Sequence, residues 1–264
     1  MRVALVPTMG GLHDGHRALL RVARADADRV VMSLFVNPTQ FGQGEDYTRY
    51  PRDADRDRRI AAEEGVDEVY APTVDDVYPT GFSTSVDVGP LGTVFEGASR
   101  PGHFAGVATV VLKLFQRVRP DIAVFGQKDA QQVAVIRRMV RDLDVRVRIE
   151  AVETVREPDG LALSSRNARL GADERERALA LHAALRAASA TVAAGTHDAA
   201  SVVAAARAAM SPYAVDPEYL AVVDADTFTE LGEIDRRALI AVAARVGDVR
   251  LIDNQPLIPN GSVS

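Results

Sequence analysis

The sequence has no cysteine and no tryptophan. Without a thiol there is no disulfide, no thiol nucleophile and no cysteine-ligated zinc, which fits a reducing compartment. The missing tryptophan excludes nothing about function. No run of about 18 apolar residues occurs, and no leader pattern precedes the first apolar run, so the expectation is a cytoplasmic protein without membrane contact. Positive charge is also short: 31 Lys and Arg stand against 37 Asp and Glu, a net charge of −6. No broad basic field exists to hold nucleic acid, although local cations can hold a small anion. Neither G-x-x-x-x-G-K-[ST] nor G-x-G-x-x-G is present, which argues against a P-loop ATPase and a standard Rossmann dehydrogenase.

What is present suits one large domain or two smaller ones: 264 residues, 47% of them hydrophobic. The chain is organised around Pro7–His16, PTMGGLHDGH. Val3–Val6 leads in as a strand and Arg17–Ala23 leads out with a helical pattern. Gly10 and Gly11 let backbone approach a ligand. A helix start there offers unpaired N–H groups and the positive end of the dipole, a place for phosphate. His13 and His16, three apart, fall on one face of a first turn. Histidines near a helix start are ordinarily caps or solvated, but this pair follows a strand and a Gly-Gly turn, which favours a ligand role. His-x-x-His without a third ligand does not define a zinc site.

Arg29–Val36 reads as a second buried strand, near-continuous and apolar as parallel strands are, ending in Asn37–Gly42. Asp53–Glu64 reads as a charged helix, Asp67–Tyr70 as a short strand, and Ser85–Val88 as a strand among loops. Phe95–Gly106 is a glycine-bearing loop holding Arg100 and His103, followed by an apolar helix, Val107–Val118. Asp121–Phe125 is a buried strand running into Gly126–Asp129, a helix follows to about Asp142, and Arg146–Glu150 is the next strand. This alternation predicts a parallel sheet with right-handed crossovers. Ala151–Arg156 and Leu161–Leu163 then read as a hairpin, followed by Ser164–Asn167. Ala172–Met210 is an alanine-rich helix pair broken at Gly195-Thr196. Tyr219–Asp224, Ala238–Arg245 and Val249–Ile252 read as strands. The expected fold class is α/β: a parallel sheet over residues 1–154, then a smaller α+β domain over 155–264.

Lys128 lies just beyond a buried strand, where it either bridges phosphate oxygens as a point charge or is a plain surface lysine. Ser164, Ser165 and Arg166 put two hydroxyls and a guanidinium in one short loop, which is either a ligand turn or a helix cap. Gln40 and Gln132 are amides able to hold a small polar substrate, and either alone is as readily a surface residue.

PTMGGLHDGH, SLFVNPTQFG, EDYTRYPR, RPGHFAGVATVVLKLF, FGQKDAQQ and DGLALSSRN occur in that order, and ALIAVAARVGDVRLIDN lies near the end. Together they closely resemble the pantothenate synthetase family, ATP-dependent ligases joining pantoate to β-alanine. The His-x-Gly-His part alone marks the wider nucleotidyltransferase superfamily; FVNPTQFG and FGQKDAQQ make the match specific. The resemblance implies a Rossmann-like nucleotide domain, a C-terminal lid and a homodimer, with ATP, Mg²⁺, pantoate and β-alanine as small-molecule partners. It implies ATP contacts from Met9, Gly10, Gly11, Leu12, His13, Asp14, Gly15 and His16, from Gly126, Gln127, Lys128 and Asp129, and from Val155, Leu163, Ser164, Ser165 and Arg166. His16 takes the proton-donor position, and His13, His16, Lys128 and Arg166 are the residues expected to stabilise phosphate charge. Gln40 and Gln132 match pantoate positions, with Gln40 also near β-alanine; Asn37 and Tyr50 match pocket-side positions less directly.

Two departures stand out. The family often carries a further segment before the first strand, whereas Met1 here sits almost on it. The family also places an acidic pair near magnesium after YPR. Here that stretch is Asp55-Arg56-Asp57, leaving Asp57 as the candidate metal residue. The expected reaction is adenylation of pantoate and then attack by the β-alanine amine. A simple nucleotidylyltransferase and a non-catalytic nucleotide binder are the rival readings.

Overall fold

Val3–Thr8 forms β1, the middle strand of a five-stranded parallel sheet in the computed structural model, which describes residues 1–42 and 47–257. After β1 come α1 (Asp14–Asp26), β2 (Arg29–Leu34), α2 (Ala54–Glu63), β3 (Glu68–Tyr70) and two single turns, α3 (Val74–Val77) and α4 (Glu96–Ser99). Then follow α5 (His103–Val118), β4 (Ile122–Gly126), α6 (Ala130–Asp142) and β5 (Arg148–Val152). The strand order is β3-β2-β1-β4-β5. Its order reverses between β1 and β4, so the carboxyl ends of these two strands flank the crevice where open α/β sheets bind ligands.

Side chains alternate across the strands and both faces are covered. Ala4, Val6, Val30, Met32, Ile122 and Val124 pack with Leu19, Leu20 and Ala23 of α1 and Ile60 and Ala61 of α2. Leu5, Val31 and Ala123, one step along, are also buried, and α5 packs against β1. This two-sided burial explains the continuous apolar runs.

Chain contacts divide the protein into one unit of Met1–Gln127 with Gln131–Glu153 and another of Lys128–Ala130 with the chain from Thr154. In the second unit, α7 (Ala172–Ala193) and α8 (Ala199–Met210) are followed by β6 (Pro217–Asp224), β7 (Ala238–Val246) and β8 (Val249–Leu257), an antiparallel sheet in that order. Alanines at 178, 184 and 188 with Leu181, Leu185 and Val192 give α7 its buried stripe, set against Val222, Ile240, Val242 and Leu251. Small side chains at these positions let α7 lie close to its neighbours.

Three local expectations are corrected. Ser85–Val88 is not a strand: the Val86 N–H donates to the Thr109 hydroxyl on α5 at 2.9 Å, not to a strand. Alternation alone does not supply a neighbour to pair with. Ala151 and Val152 do not open a hairpin; they continue β5 alongside Phe125 and Gly126. The hairpin shrinks to one bridge, Arg156 with Ala162, around the turn at 157–160. Finally, α5 begins at His103 rather than at Val107, after Gly102 with φ +81°.

Candidate active site

The loop from β1 to α1 carries most of the chemistry expected of the first unit. Gly10 and Gly11 have φ of +88° and +64°, a left-handed pair that other residues adopt at a cost. His13, in an extended conformation, is the N-cap of α1, and its Nδ1 accepts the Gly15 N–H at 3.1 Å. The His16 Nδ1 reaches back to accept the His13 N–H at 3.3 Å. Two histidines thus build a capping box, a role ordinarily filled by Ser/Thr and Glu. Their ring centroids are 4.2 Å apart. Because each Nδ1 accepts a backbone proton, each neutral ring carries its own proton on Nε2. That makes both Nε2 atoms donors.

The sequence led us to expect unpaired N–H groups at this helix start. Instead the loop amides are committed internally. Gly11 N–H donates to Asp57 Oδ2 and Leu12 N–H to Asp57 Oδ1, both at 2.9 Å. The His13 and Gly15 amides are taken by the histidines. An anion placed here would meet imidazole N–H groups more than backbone. Leu12 is fully buried, and exposed Asp14 pairs with Arg17 at 3.8 Å. Asp57 itself is 1% exposed, and no cluster of three His, Asp or Glu able to hold a metal exists among the described residues.

A second loop, 37–40, lies beyond β2. The buried Asn37 donates to Gln40 Oε1 at 3.1 Å and to the Gly106 carbonyl at 3.2 Å. Gln40 Nε2 meets Met9 Sδ at 3.0 Å, which ties this loop to the one after β1. The Gln40 carbonyl oxygen contacts His103 Nδ1 at 2.7 Å and accepts from Arg100 at 3.2 Å. A Cβ on Gly106 would fall 2.3 Å from the Thr39 carbonyl oxygen, so the absent side chain lets α5 approach. Gln132 is half-buried. Its neighbour Gln131 is 4% exposed and spans to the Glu96 N–H and the Leu91 and Val94 carbonyls. Gln131 holds structure, and Gln132 makes no side-chain hydrogen bond among the described residues.

Gly126 ends β4 next to β1, and Gln127 opens the single turn that follows. Lys128–Ala130 belong to the second unit, where Asn254 Nδ2 donates to the Lys128 carbonyl at 2.8 Å and Lys128 Nζ lies 3.5 Å from Asp129. Val155 and Leu163 are joined by a backbone hydrogen bond of 2.9 Å. Ser164 caps the turn by accepting the Arg166 N–H at 3.3 Å. Asn167 braces it, donating to Glu157 at 2.8 Å and to the Ala162 carbonyl at 3.0 Å. Arg175 and Asn167 hold the Glu157 carboxyl below the usual carboxylate range. Arg156 makes a two-pronged pair with the buried Asp253, at 2.6 and 3.1 Å. So Val155, Leu163, Ser164, Ser165 and Arg166 sit on one braced turn.

Sequence reasoning missed the bracing groups: Asp57 as an amide acceptor, Asn254 behind Lys128, and Arg156 with Asp253. The sequence reading names Asp57 as a metal candidate, Asn37 as a pocket-side match of the family resemblance, and Arg100 and His103 as residues of the 95–106 loop.

A family model described as pantoate-beta-alanine ligase matches residues 1–256. Pantothenate synthetase of Thermobifida fusca is 58% identical over 268 residues, covering 97% of this chain and 90% of that protein. That of Moorella thermoacetica is 53% identical over 264 residues, covering 98% and 92%. Among solved structures, pantothenate synthetase from Thermus thermophilus superposes with a TM-score of 0.93 at 49% identity, covering 97% of this chain and 93% of that one. The Francisella tularensis pantoate-beta-alanine ligase, complexed with beta-gamma ATP and beta-alanine, has a TM-score of 0.78 at 35% identity, covering 96% and 89%. A paired-histidine loop at the sheet's switch point and a match running from β1 to β8 agree: the chain belongs to the pantoate-beta-alanine ligase family of enzymes.

Proposed function

We propose that this chain condenses pantoate with β-alanine at the expense of ATP, through a pantoyl-adenylate, releasing AMP and pyrophosphate. The observation that carries the reading is the histidine capping box, which fixes two Nε2–H donors on one helix start. In the first step a pantoate carboxylate oxygen bonds to the α-phosphorus of ATP while the bond to pyrophosphate breaks. No protein nucleophile is needed; the work is positioning and stabilisation of charge. His16 and His13 donate to the phosphate oxygens, with Lys128 and Arg166 supplying positive charge and Gly10, Gly11, Gly126 and the turn from Val155 to Arg166 shaping the ATP site. Gln40 and Gln132 hold pantoate. In the second step the β-alanine nitrogen, placed near Gln40, attacks the acyl carbon; the carbon–oxygen bond to AMP breaks and the amine gives up a proton.

Magnesium, on this reading, arrives with ATP as part of the substrate, its ligands mainly phosphate oxygens and water. The second unit serves as a lid keeping the adenylate from water, and the working form is a cytoplasmic homodimer, as the family resemblance implies. Against a nucleotidylyltransferase with a phosphate-bearing acceptor stands the setting of the Gln40 amide, which meets the neutral Asn37 and Met9.

The test supplies ATP, Mg²⁺, β-alanine and pantoate labelled with heavy oxygen in its carboxylate. The expected result is pantothenate together with AMP carrying one labelled oxygen. ADP and labelled inorganic phosphate would mean an acyl-phosphate route. Unlabelled AMP made alongside pantothenate would rule out the adenylate. No turnover would leave a mere binder.

A further inference from the structure

Asp57 sits in the first turn of α2, in the stretch where the family resemblance puts a magnesium-facing acid. Its surroundings fit another task. The side chain is 1% exposed, and both carboxylate oxygens accept loop amides, Oδ2 from Gly11 and Oδ1 from Leu12. The opposing residue gives way to it: a Cβ on Gly10 would lie 2.8 Å from Oδ2. The cavity of about 310 Å³ that borders Asp57 is also lined by Asp53, Arg52 and Arg58, so two cations offset the two carboxylates and no excess of negative charge is left to draw a divalent ion. α2 is itself fixed to α1. Ile60 and Ala61 are in the shared core, and Glu64 receives Arg17 at 2.7 Å and Arg21 at 2.8 Å. Asp57 is thus a fixed acceptor presented by a docked helix to the loop just before His13.

We propose that Asp57 is a positioning residue. It holds the Gly10–Leu12 loop so that His13 and His16 keep their mutual cap and both present Nε2–H, and it does not ligate magnesium. The inference rests on the ligase reading above. Its physical basis is donor–acceptor matching. Two N–H donors converge on one side chain, and only a carboxylate offers two acceptors there. In Asp57→Asn the side-chain NH₂ would face a backbone N–H, a buried donor against a donor. The loop then shifts, and a displacement near 1 Å at a reacting group costs on the order of 100-fold in rate.

The experiment compares wild type, Asp57→Asn and Gly10→Ala, whose new Cβ would push the carboxylate away. Pyrophosphate release is followed against magnesium at saturating ATP, and nitrogen–proton correlation spectra report the imidazole tautomers. Both variants are expected to lose about 10- to 100-fold in kcat, with the KM for pantoate and the half-saturating magnesium unchanged. His13 and His16 are expected to lose the pure Nε2–H signature while His182 keeps its spectrum. Rescue of Asp57→Asn by excess magnesium, or a rise in half-saturating magnesium, would overturn the proposal in favour of a metal ligand. Unchanged tautomers with a lowered kcat would overturn it too. If Asp57→Asn does not fold, Gly10→Ala carries the same readouts. An inactive wild type would refute the ligase reading instead, and the tautomer spectra would still judge the role of Asp57.

Discussion

His16 Nδ1 holds the His13 amide and His13 Nδ1 holds the Gly15 amide, so the chemistry and the structural role of the pair use different nitrogens of each ring. Replacing His16 by alanine deletes a donor and one side of the cap. The chemical loss dominates: pyrophosphate release is expected to slow by about 100-fold or more, while a lost cap costs about 1 kcal/mol of stability. Rapid-quench measurement of the first turnover beside a thermal melt separates the two, and near-normal pyrophosphate release would remove His16 from the reaction. The pair itself was legible in the sequence, because a strand, two glycines and a three-residue spacing are local signals. That the loop amides are already occupied was not legible. The acceptor of the Gly11 and Leu12 amides lies 46 and 45 residues downstream, and Asp57 sits in a run of charges whose ordinary place is a solvated face.

At the scale of elements, the 37–40 loop is shaped by what α5 omits. Gly106 lets the helix backbone sit against Thr39, and Asn37 closes the contact by donating to the Gly106 carbonyl. Gly106→Ala forces the two apart. The expected stability cost is about 1–3 kcal/mol, the usual range for an overpacked contact. The KM for pantoate should rise more than kcat falls, since Gln40 moves with its loop. Steady-state kinetics with pantoate varied checks this, and an unchanged KM would mean that the loop does not carry the pantoate site. The parallel strands could be read from their apolar runs because burial on both faces leaves that mark. Ser85–Val88 and the hairpin after β5 misled for the converse reason. Short alternating stretches carry the strand pattern whether or not a partner strand is present, and the partner is a tertiary fact.

For the molecule as a whole, one half-buried imidazole in the second unit is expected to make stability depend on pH. His182 covers Gly160 so closely that a Cβ there would fall 2.3 Å from the ring, and its Nδ1 is buried without a hydrogen-bond partner among the described residues. Burial first, then the nearby Arg156 cation, push its pKa below the ordinary imidazole value. The unfolded chain therefore takes up the proton before the folded one. The stability is fully present above about pH 6.5, the unfolded value, and is lost as pH falls through the lower folded value. Glu64, paired with Arg21 and Arg17, and Glu157 are held below the usual carboxylate range and titrate at lower pH. Melting temperatures taken between pH 7 and 5 are expected to fall for wild type and to stay flatter for His182→Phe. Equal slopes would assign the loss to other groups.

The placing of Lys128–Ala130 with the second unit has a consequence for anyone who would take the protein apart. The polypeptide changes unit after Gln127, again after Ala130 and again after Glu153. No single cut of the backbone releases either unit whole. A fragment ending at Glu153 keeps Lys128 but loses Asn254, whose amide holds the Lys128 carbonyl. The complementary fragment keeps that amide and has nothing to hold. Split-protein versions and circular permutants opened at this junction would have to restore that hydrogen bond across the break.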